Sequence, residues 1–246
     1  MFTNSLHHDF PSQPLHLAGS ARERSASSSA CGCSRAEATL AALHADGAGW
    51  SGRWVALRAR LGSLLRPAAP ACDICPHRPI SAQCGALLYQ LARLGDARLA
   101  VTLGAGDGAA TIWLACAMRA NQRHAGDRGI IACEPAHELV QLARCRLRAA
   151  GVSRYVDLRE GQPEQALARI DQPVDCLLFN GYPVLMLPVL KLLQDKLRPG
   201  AVVLALRPRG ERQCYSGYLR YVRDPRGGFT SIALPCREGL ELSVRN

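Results

Sequence analysis

The spacing of apolar positions changes several times along the chain, and the changes mark out its elements. Ala36–Ala45 and Trp54–Leu65 have helical spacing, with Leu57, Leu61 and Leu64 at i, i+4 and i+7 of one face. Prolines 67, 70, 76 and 79 then force a loop. Beyond Ile80, short apolar runs alternate with helical stretches. The pattern predicts helices over Ser81–Leu94, Ala109–Asn121, Ala136–Ala150, Pro163–Arg169 and Val184–Leu197. Between them it predicts strands at Leu99–Leu103, Gly129–Cys133, Tyr155–Arg159, Val174–Phe179 and Ala201–Leu206. Strands alternating with helices of about 10–15 residues indicate βαβ units and a parallel sheet covered on both faces. The end of the chain differs. Phe229–Leu234 and Leu240–Val244 are joined by a short Pro/Gly turn, the signature of an antiparallel hairpin closing the sheet.

The boundaries follow. Residues 1–35 are rich in Ser, Ala, His, Pro and Gly without periodicity, which predicts a disordered tail. Residues 36–78 form a helical extension with a proline-rich loop, and 79–246 one α/β domain. No internal repeat is present.

Composition narrows the function classes only slightly. The 246 residues carry 30 Lys+Arg against 20 Asp+Glu, a formal charge of +10. Only Lys191 and Lys196 are lysines, so the charge is almost all arginine, and with abundant alanine it reflects base composition as readily as a nucleic-acid partner. No run of about 18 apolar residues occurs, which excludes a spanning helix. The first twenty residues lack a basic segment followed by an apolar one, so they do not read as a signal peptide. A cytoplasmic protein is expected, with its eleven cysteines reduced and several acting as small core hydrophobes.

The candidate chemistry starts at Val101-Thr102-Leu103-Gly104-Ala105-Gly106-Asp107-Gly108, where the first strand meets a helix. Glycines there permit a tight turn and close approach of a ligand, at the carboxyl end of a strand where open α/β sheets bind ligands. The spacing is G-x-G-x-G. The dinucleotide fingerprint would need its third glycine at Ala109, and no Lys-Ser/Thr follows to make a phosphate loop. The second strand ends at Glu134-Pro135. That carboxylate can accept both hydroxyls of a ribose, or can sit exposed at a helix start and complement its dipole. Loop and acid together point to an adenosine-type ligand.

These residues resemble the class I S-adenosylmethionine-dependent methyltransferases, within them the bacterial O-methyltransferases related to the catechol and caffeoyl-CoA enzymes. The likeness runs from about Pro79 to Arg245. It takes in Arg78–Gln83, Leu103–Gly108, Ala132–Pro135, Pro173–Phe179, Leu187–Leu193, Leu197–Val203, Tyr221–Pro225 and Leu240–Arg245. It implies a Rossmann-like seven-stranded sheet with a reversed last strand, plus the N-terminal helical extension. It also implies S-adenosylmethionine as cofactor. Gly104, Gly106 and Gly108 would pass under its methionine part and Glu134 would hold the ribose. Gln162 would meet the adenine amino group through its amide oxygen, and Ser81 would lie near the cofactor's carboxylate. Homodimers are common among such relatives.

The departures from the family pattern are as informative. Thr102 stands where the family has an acid two residues before the first glycine; its hydroxyl can bond the cofactor ammonium without the charge. Asn180-Gly181-Tyr182 replaces Asp-Gly after the fourth strand, and Arg207 falls where Asp-Asn follows the fifth. In metal-dependent members those acids hold a divalent cation, and hard cations need several carboxylate or carbonyl oxygens. No catalytic metal is therefore expected. Asp175, at the start of its strand, reads as structural.

Methyl transfer needs positioning and deprotonation of the acceptor. Tyr182 and His77 are the candidate bases, and Arg207 and Arg209 can fix an anionic small-molecule acceptor. Cys31, Cys33, Cys72 and Cys75 with His77 supply thiolates and an imidazole, but C-x-C is poor spacing for structural zinc and the Cys72–Cys75 loop lacks the setting of a thioredoxin-type pair. Three functions compete: a small-molecule methyltransferase acting at oxygen without a metal, a non-catalytic binding or partner protein that kept the fold, and an RNA methyltransferase using the arginines between 207 and 226. Nucleic acid is the least favoured partner, since aromatics are only 5% and the arginines are diffuse.

Overall fold

The apolar runs of the α/β region become the centre of one seven-stranded sheet. Its strands are β1 (Ala100–Leu103), β2 (Ile130–Glu134), β3 (Val156–Glu160), β4 (Val174–Phe179), β5 (Leu197–Leu206), β6 (Phe229–Leu234) and β7 (Leu240–Arg245), in the order β3-β2-β1-β4-β5-β7-β6. The computed structural model describes residues 32–46, 80–122, 129–206, 213–236 and 239–246. Residues 1–31 of the predicted tail, the Trp54–Leu65 helix and the proline loop lie outside them, and the tail's predicted end is corrected, because Ser34 and Arg35 open a helix. β1 pairs in parallel with β2 and β4, and β7 runs antiparallel to both β5 and β6. The expected reversed last strand is therefore present, inserted between β5 and β6.

Every residue of β1 and β4 is buried, because helices cover both sheet faces and successive side chains point to opposite sides. Seven helices of the described residues matter here: α1 (Ser34–Asp46), α2 (Ala82–Leu94), α3 (Ala109–Asn121), α4 (His137–Ala149), α5 (Pro163–Ala166), α6 (Met186–Leu193) and α7 (Ser216–Arg223). Ala100, Leu178 and Leu204 pack with α1, α2 and α3 on one face. Val101, Leu103, Leu177 and Phe179 pack with α6 and α7 on the other. The helix of the N-terminal extension thus joins the main core: Ala36, Leu40 and Leu43 of α1 are buried against it.

Three differences from the sequence reading have local causes. The predicted Val184–Leu197 helix is divided: Pro183–Leu185 forms a 3-10 turn and α6 covers only Met186–Leu193. β5 begins earlier than expected, at Leu197, with a register shift against β4 between Val174 and Cys176. Helix α7 was not foreseen among the arginines, yet Tyr215, Tyr218 and Val222 place one buried stripe on it.

Asp175 has the structural role its position suggests. Its Oδ2 accepts the backbone N–H groups of Arg98 and Leu99 at 2.8 Å each, and Oδ1 pairs with Arg198. One carboxylate therefore ties together the starts of β1, β4 and β5, at the end of the sheet opposite the glycine loop.

Gly85 shows how packing decides a residue. In a helix interior, glycine is about 1 kcal/mol worse than alanine. A Cβ at Gly85, however, would lie 2.1 Å from Nε1 of Trp113, a fully buried ring. Overpacking of this kind costs about 1–3 kcal/mol, which exceeds the propensity gain. Gly85→Ala is expected to lower stability in urea unfolding; a gain would show that Trp113 can move aside.

Candidate functional site

The carboxyl end of β1 lies at the point where the sheet order reverses, between β1 and β4. Gly104, Gly106 and Gly108 all have positive φ, at 88°, 54° and 89°. Side chains rarely adopt this backbone, so the glycines are required by conformation. Gly108 is the N-cap of α3. The loop is tied down on three sides. Gly104 N–H donates to the Cys133 carbonyl at 2.8 Å, Asn180 Nδ2 donates to the Gly104 carbonyl at 3.1 Å, and Gly106 N–H donates to Glu134 Oε2 at 3.0 Å. Asp107 turns toward α4, where Arg146 bonds its carbonyl at 2.8 Å and its carboxylate at 3.2 Å.

Glu134 is fully buried, which removes the reading of an exposed helix-start acid. Its Oε1 accepts Ala136 N–H at 3.1 Å and the Tyr182 hydroxyl. A buried carboxylate is stable here because donors surround it. It organises the glycine loop, the start of α4 and the turn after β4 around one charge.

Tyr182, one of the two candidate bases, is turned toward Glu134. Burial, then the charge of Glu134 and the hydrogen bond to it, raises its pKa well above the ordinary phenol value. In this arrangement its hydroxyl donates to Glu134. Cys133, unnoticed in the sequence beyond its apolar setting, supports the same rim. Its Sγ donates to the Gly161 carbonyl at 3.5 Å, and burial, then Glu134, pushes the thiol up to about 12.

The remaining residues separate into engaged, open and undescribed. Thr102 is fully buried, and its Oγ1 has no hydrogen-bond partner among the described residues. Asn180 is engaged with β1: its N–H donates to the Leu103 carbonyl at 2.9 Å while Nδ2 holds Gly104. Ser81 caps α2, its Oγ accepting Cys84 N–H at 3.2 Å. Gln162 is exposed after Gly161, and its side chain makes no capping bond to α5. Close by, the His137 ring lies 2.8 Å from Glu160 on the exposed rim. His77, Arg207 and Arg209 lie outside the described residues, as do Cys31, Cys72 and Cys75. Cys214 is disulfide-bonded, which corrects the expectation of fully reduced cysteines; the other described cysteines are free thiols.

The arginine cluster is not a uniform basic face. Arg223 is paired with Glu241 and Arg226 lies 3.5 Å from Asp224, whereas Arg220 is exposed. Among the described residues, no group of three or more His, Cys, Asp or Glu is placed to hold a metal, and no helix is long and apolar enough to cross a membrane.

Comparison with known proteins shows what this geometry is similar to. Residues 101–205 match the model of a methyltransferase domain. No curated protein matches the chain. A protein from Klebsiella pneumoniae assigned as an O-methyltransferase is 23% identical, with TM-score 0.61, covering 79% of this chain and 98% of that one. The O-methyltransferase TomG from Streptomyces achromogenes, involved in tomaymycin synthesis and solved with S-adenosylmethionine, is 24% identical, with TM-score 0.59, covering 79% and 97%. A methyltransferase from Geobacter sulfurreducens is 26% identical, with TM-score 0.54, covering 76% and 98%. Residues 101–205 are therefore similar to a methyltransferase domain, and the chain has the fold seen in solved O-methyltransferases.

Proposed function

We propose that the protein binds S-adenosylmethionine at the β1–β4 switch point and transfers its methyl group to an oxygen of a small molecule. The observation that carries this is the buried Glu134 carboxylate bonded to Gly106 of a three-glycine loop. The residues present fit the cofactor. Thr102 Oγ1, buried and unpartnered among the described residues, can accept a bond from an ammonium at the end of β1. Glu134 is the ribose acceptor, and exposed Gln162 offers an amide oxygen to an adenine amino group.

S-adenosylmethionine supplies an electrophilic methyl group on a sulfonium. The chain's own residues supply positioning: the loop and Glu134 fix the adenosyl end, so that an acceptor oxygen can be held in line. His77, before α2 in the sequence, and Tyr182 are the candidate bases. Arg207 and Arg209 are proposed to fix an anionic acceptor through bidentate contacts. The reaction is proposed to run without a divalent metal. Asn180 occupies one family acid position and uses its amide nitrogen to hold the Gly104 carbonyl, which leaves one neutral oxygen in place of a charged carboxylate.

One observation favours a second reading, that of a non-catalytic protein which kept the fold. The Tyr182 hydroxyl sits on the carboxylate that a ribose would use. Calorimetry with S-adenosylmethionine and S-adenosylhomocysteine in EDTA separates the two. Binding of both below about 1 mM, with methyl transfer insensitive to EDTA, is expected. No heat from either ligand would favour the non-catalytic reading, and a metal-restorable loss of activity would defeat the metal-free one.

A further inference from the structure

The contact between Tyr182 and Glu134 has a consequence for how the site fills. A carboxylate offers about four lone-pair positions. At Glu134 at least three are taken, by Gly106 N–H, Ala136 N–H and the Tyr182 hydroxyl. A ribose diol requires two. It cannot bind Glu134 bidentately while all three donors stay in place. The two backbone donors are fixed, one by the positive-φ loop and its bond to β2, the other by the start of α4. The phenol is the donor that can leave. It stands on a turn with two successive positive-φ residues, Gly181 at 120° and Tyr182 at 51°. A non-glycine residue there is under strain, so movement of the turn relieves strain as it withdraws the hydroxyl.

We propose that Tyr182 is a latch that competes with the ribose: its hydroxyl takes a Glu134 lone pair that the diol needs and must be displaced before the nucleoside is held. The latch keeps the buried charge paired without ligand and lowers apparent affinity by the cost of its own release, as for any protein whose competent state is a fraction of the whole. The inference rests on Glu134 being the ribose acceptor.

Calorimetry on the full chain tests it with three proteins and three ligands. Tyr182→Phe removes the hydroxyl and keeps the ring. It is expected to bind S-adenosylhomocysteine about 10-fold more tightly than the unaltered protein, a difference of about 1.4 kcal/mol. Adenosine should gain in parallel. Dideoxyadenosine, which lacks the ribose diol, should not, and a mere loosening of the turn would not discriminate in this way. Glu134→Gln is expected to weaken S-adenosylhomocysteine by at least about 10-fold. Unchanged or weaker binding by Tyr182→Phe, with Glu134→Gln still impaired, would overturn the latch and leave the ribose role standing. An equal gain for dideoxyadenosine would also overturn it. Unimpaired binding by Glu134→Gln would remove the ribose role and the latch with it. Melting curves establish that each variant folds, and Tyr182→Leu repeats the comparison should the phenylalanine variant not.

Discussion

Replacing Arg223 by alanine is expected to destabilise the protein by about 3 kcal/mol, although the residue is nearly half exposed. Its partner explains this. Glu241 on β7 is fully buried, and Arg223 of α7 donates from Nε and Nη2 to its two oxygens, each at 2.7 Å. Ser231 Oγ adds a third donor at 2.8 Å, and Ser231 and Ser243 are themselves 2.8 Å apart. Loss of the guanidinium leaves a buried anion without its two charge-assisted donors. The exposed part of Arg223, 44% of its side chain, lets water replace some of the interaction, which sets the estimate at the lower end for a broken buried pair. Urea unfolding at unchanged m-value is the measurement. The double variant Arg223→Leu with Glu241→Leu removes both charges and should lose less than Arg223→Ala alone. A single variant within about 0.5 kcal/mol of the parent would mean that the pair is solvated. The pairing also bears on nucleic-acid binding: a guanidinium neutralised by a buried carboxylate is poorly placed to serve as a phosphate contact.

The fold was legible in the sequence where one physical signal dominated. Val174–Phe179 and Ala109–Asn121 have the predicted bounds, because a short strand apolar but for Asp175 and a continuous helical stripe each leave one solution. The glycine loop was legible because three glycines in five residues have no better explanation than positive φ. Helix α7 was missed because its arginines drew attention to charge, while the stripe of Tyr215, Tyr218 and Val222 spans only two turns. The partners of the site residues were harder still to foresee. Nothing local to Glu134 reveals that a tyrosine 48 positions later bonds to it, since that contact depends on β2 and β4 flanking β1. In the same way Asn180 reads as a lost acid in sequence, and only the β1–β4 register turns it into the tie that holds Gly104.

Gly106→Val should remove cofactor binding while leaving a folded protein, the second large effect. At φ 54° a β-branched residue is a genuine outlier, and such strain costs about 1–3 kcal/mol. The loop can relieve it only by rotating Gly106, and that rotation breaks the 3.0 Å bond from its N–H to Glu134. The same movement shifts the backbone that is proposed to lie under the methionine part of the cofactor. Strain and lost preorganisation act together on the bound state, so S-adenosylhomocysteine affinity should fall by about 100-fold or more. A strain-matched control separates the site from general destabilisation. Gly200, at φ 78°, stands near the start of β5, away from the carboxyl rim, and a Cβ there would meet only Arg198 Nη1 at 3.5 Å. Gly200→Val should cost comparable stability and bind S-adenosylhomocysteine as the parent does. Equal loss of binding in both variants would tie affinity to overall stability and detach it from the glycine loop. Loss confined to Gly106→Val would tie it to the loop and to the carboxylate that holds it.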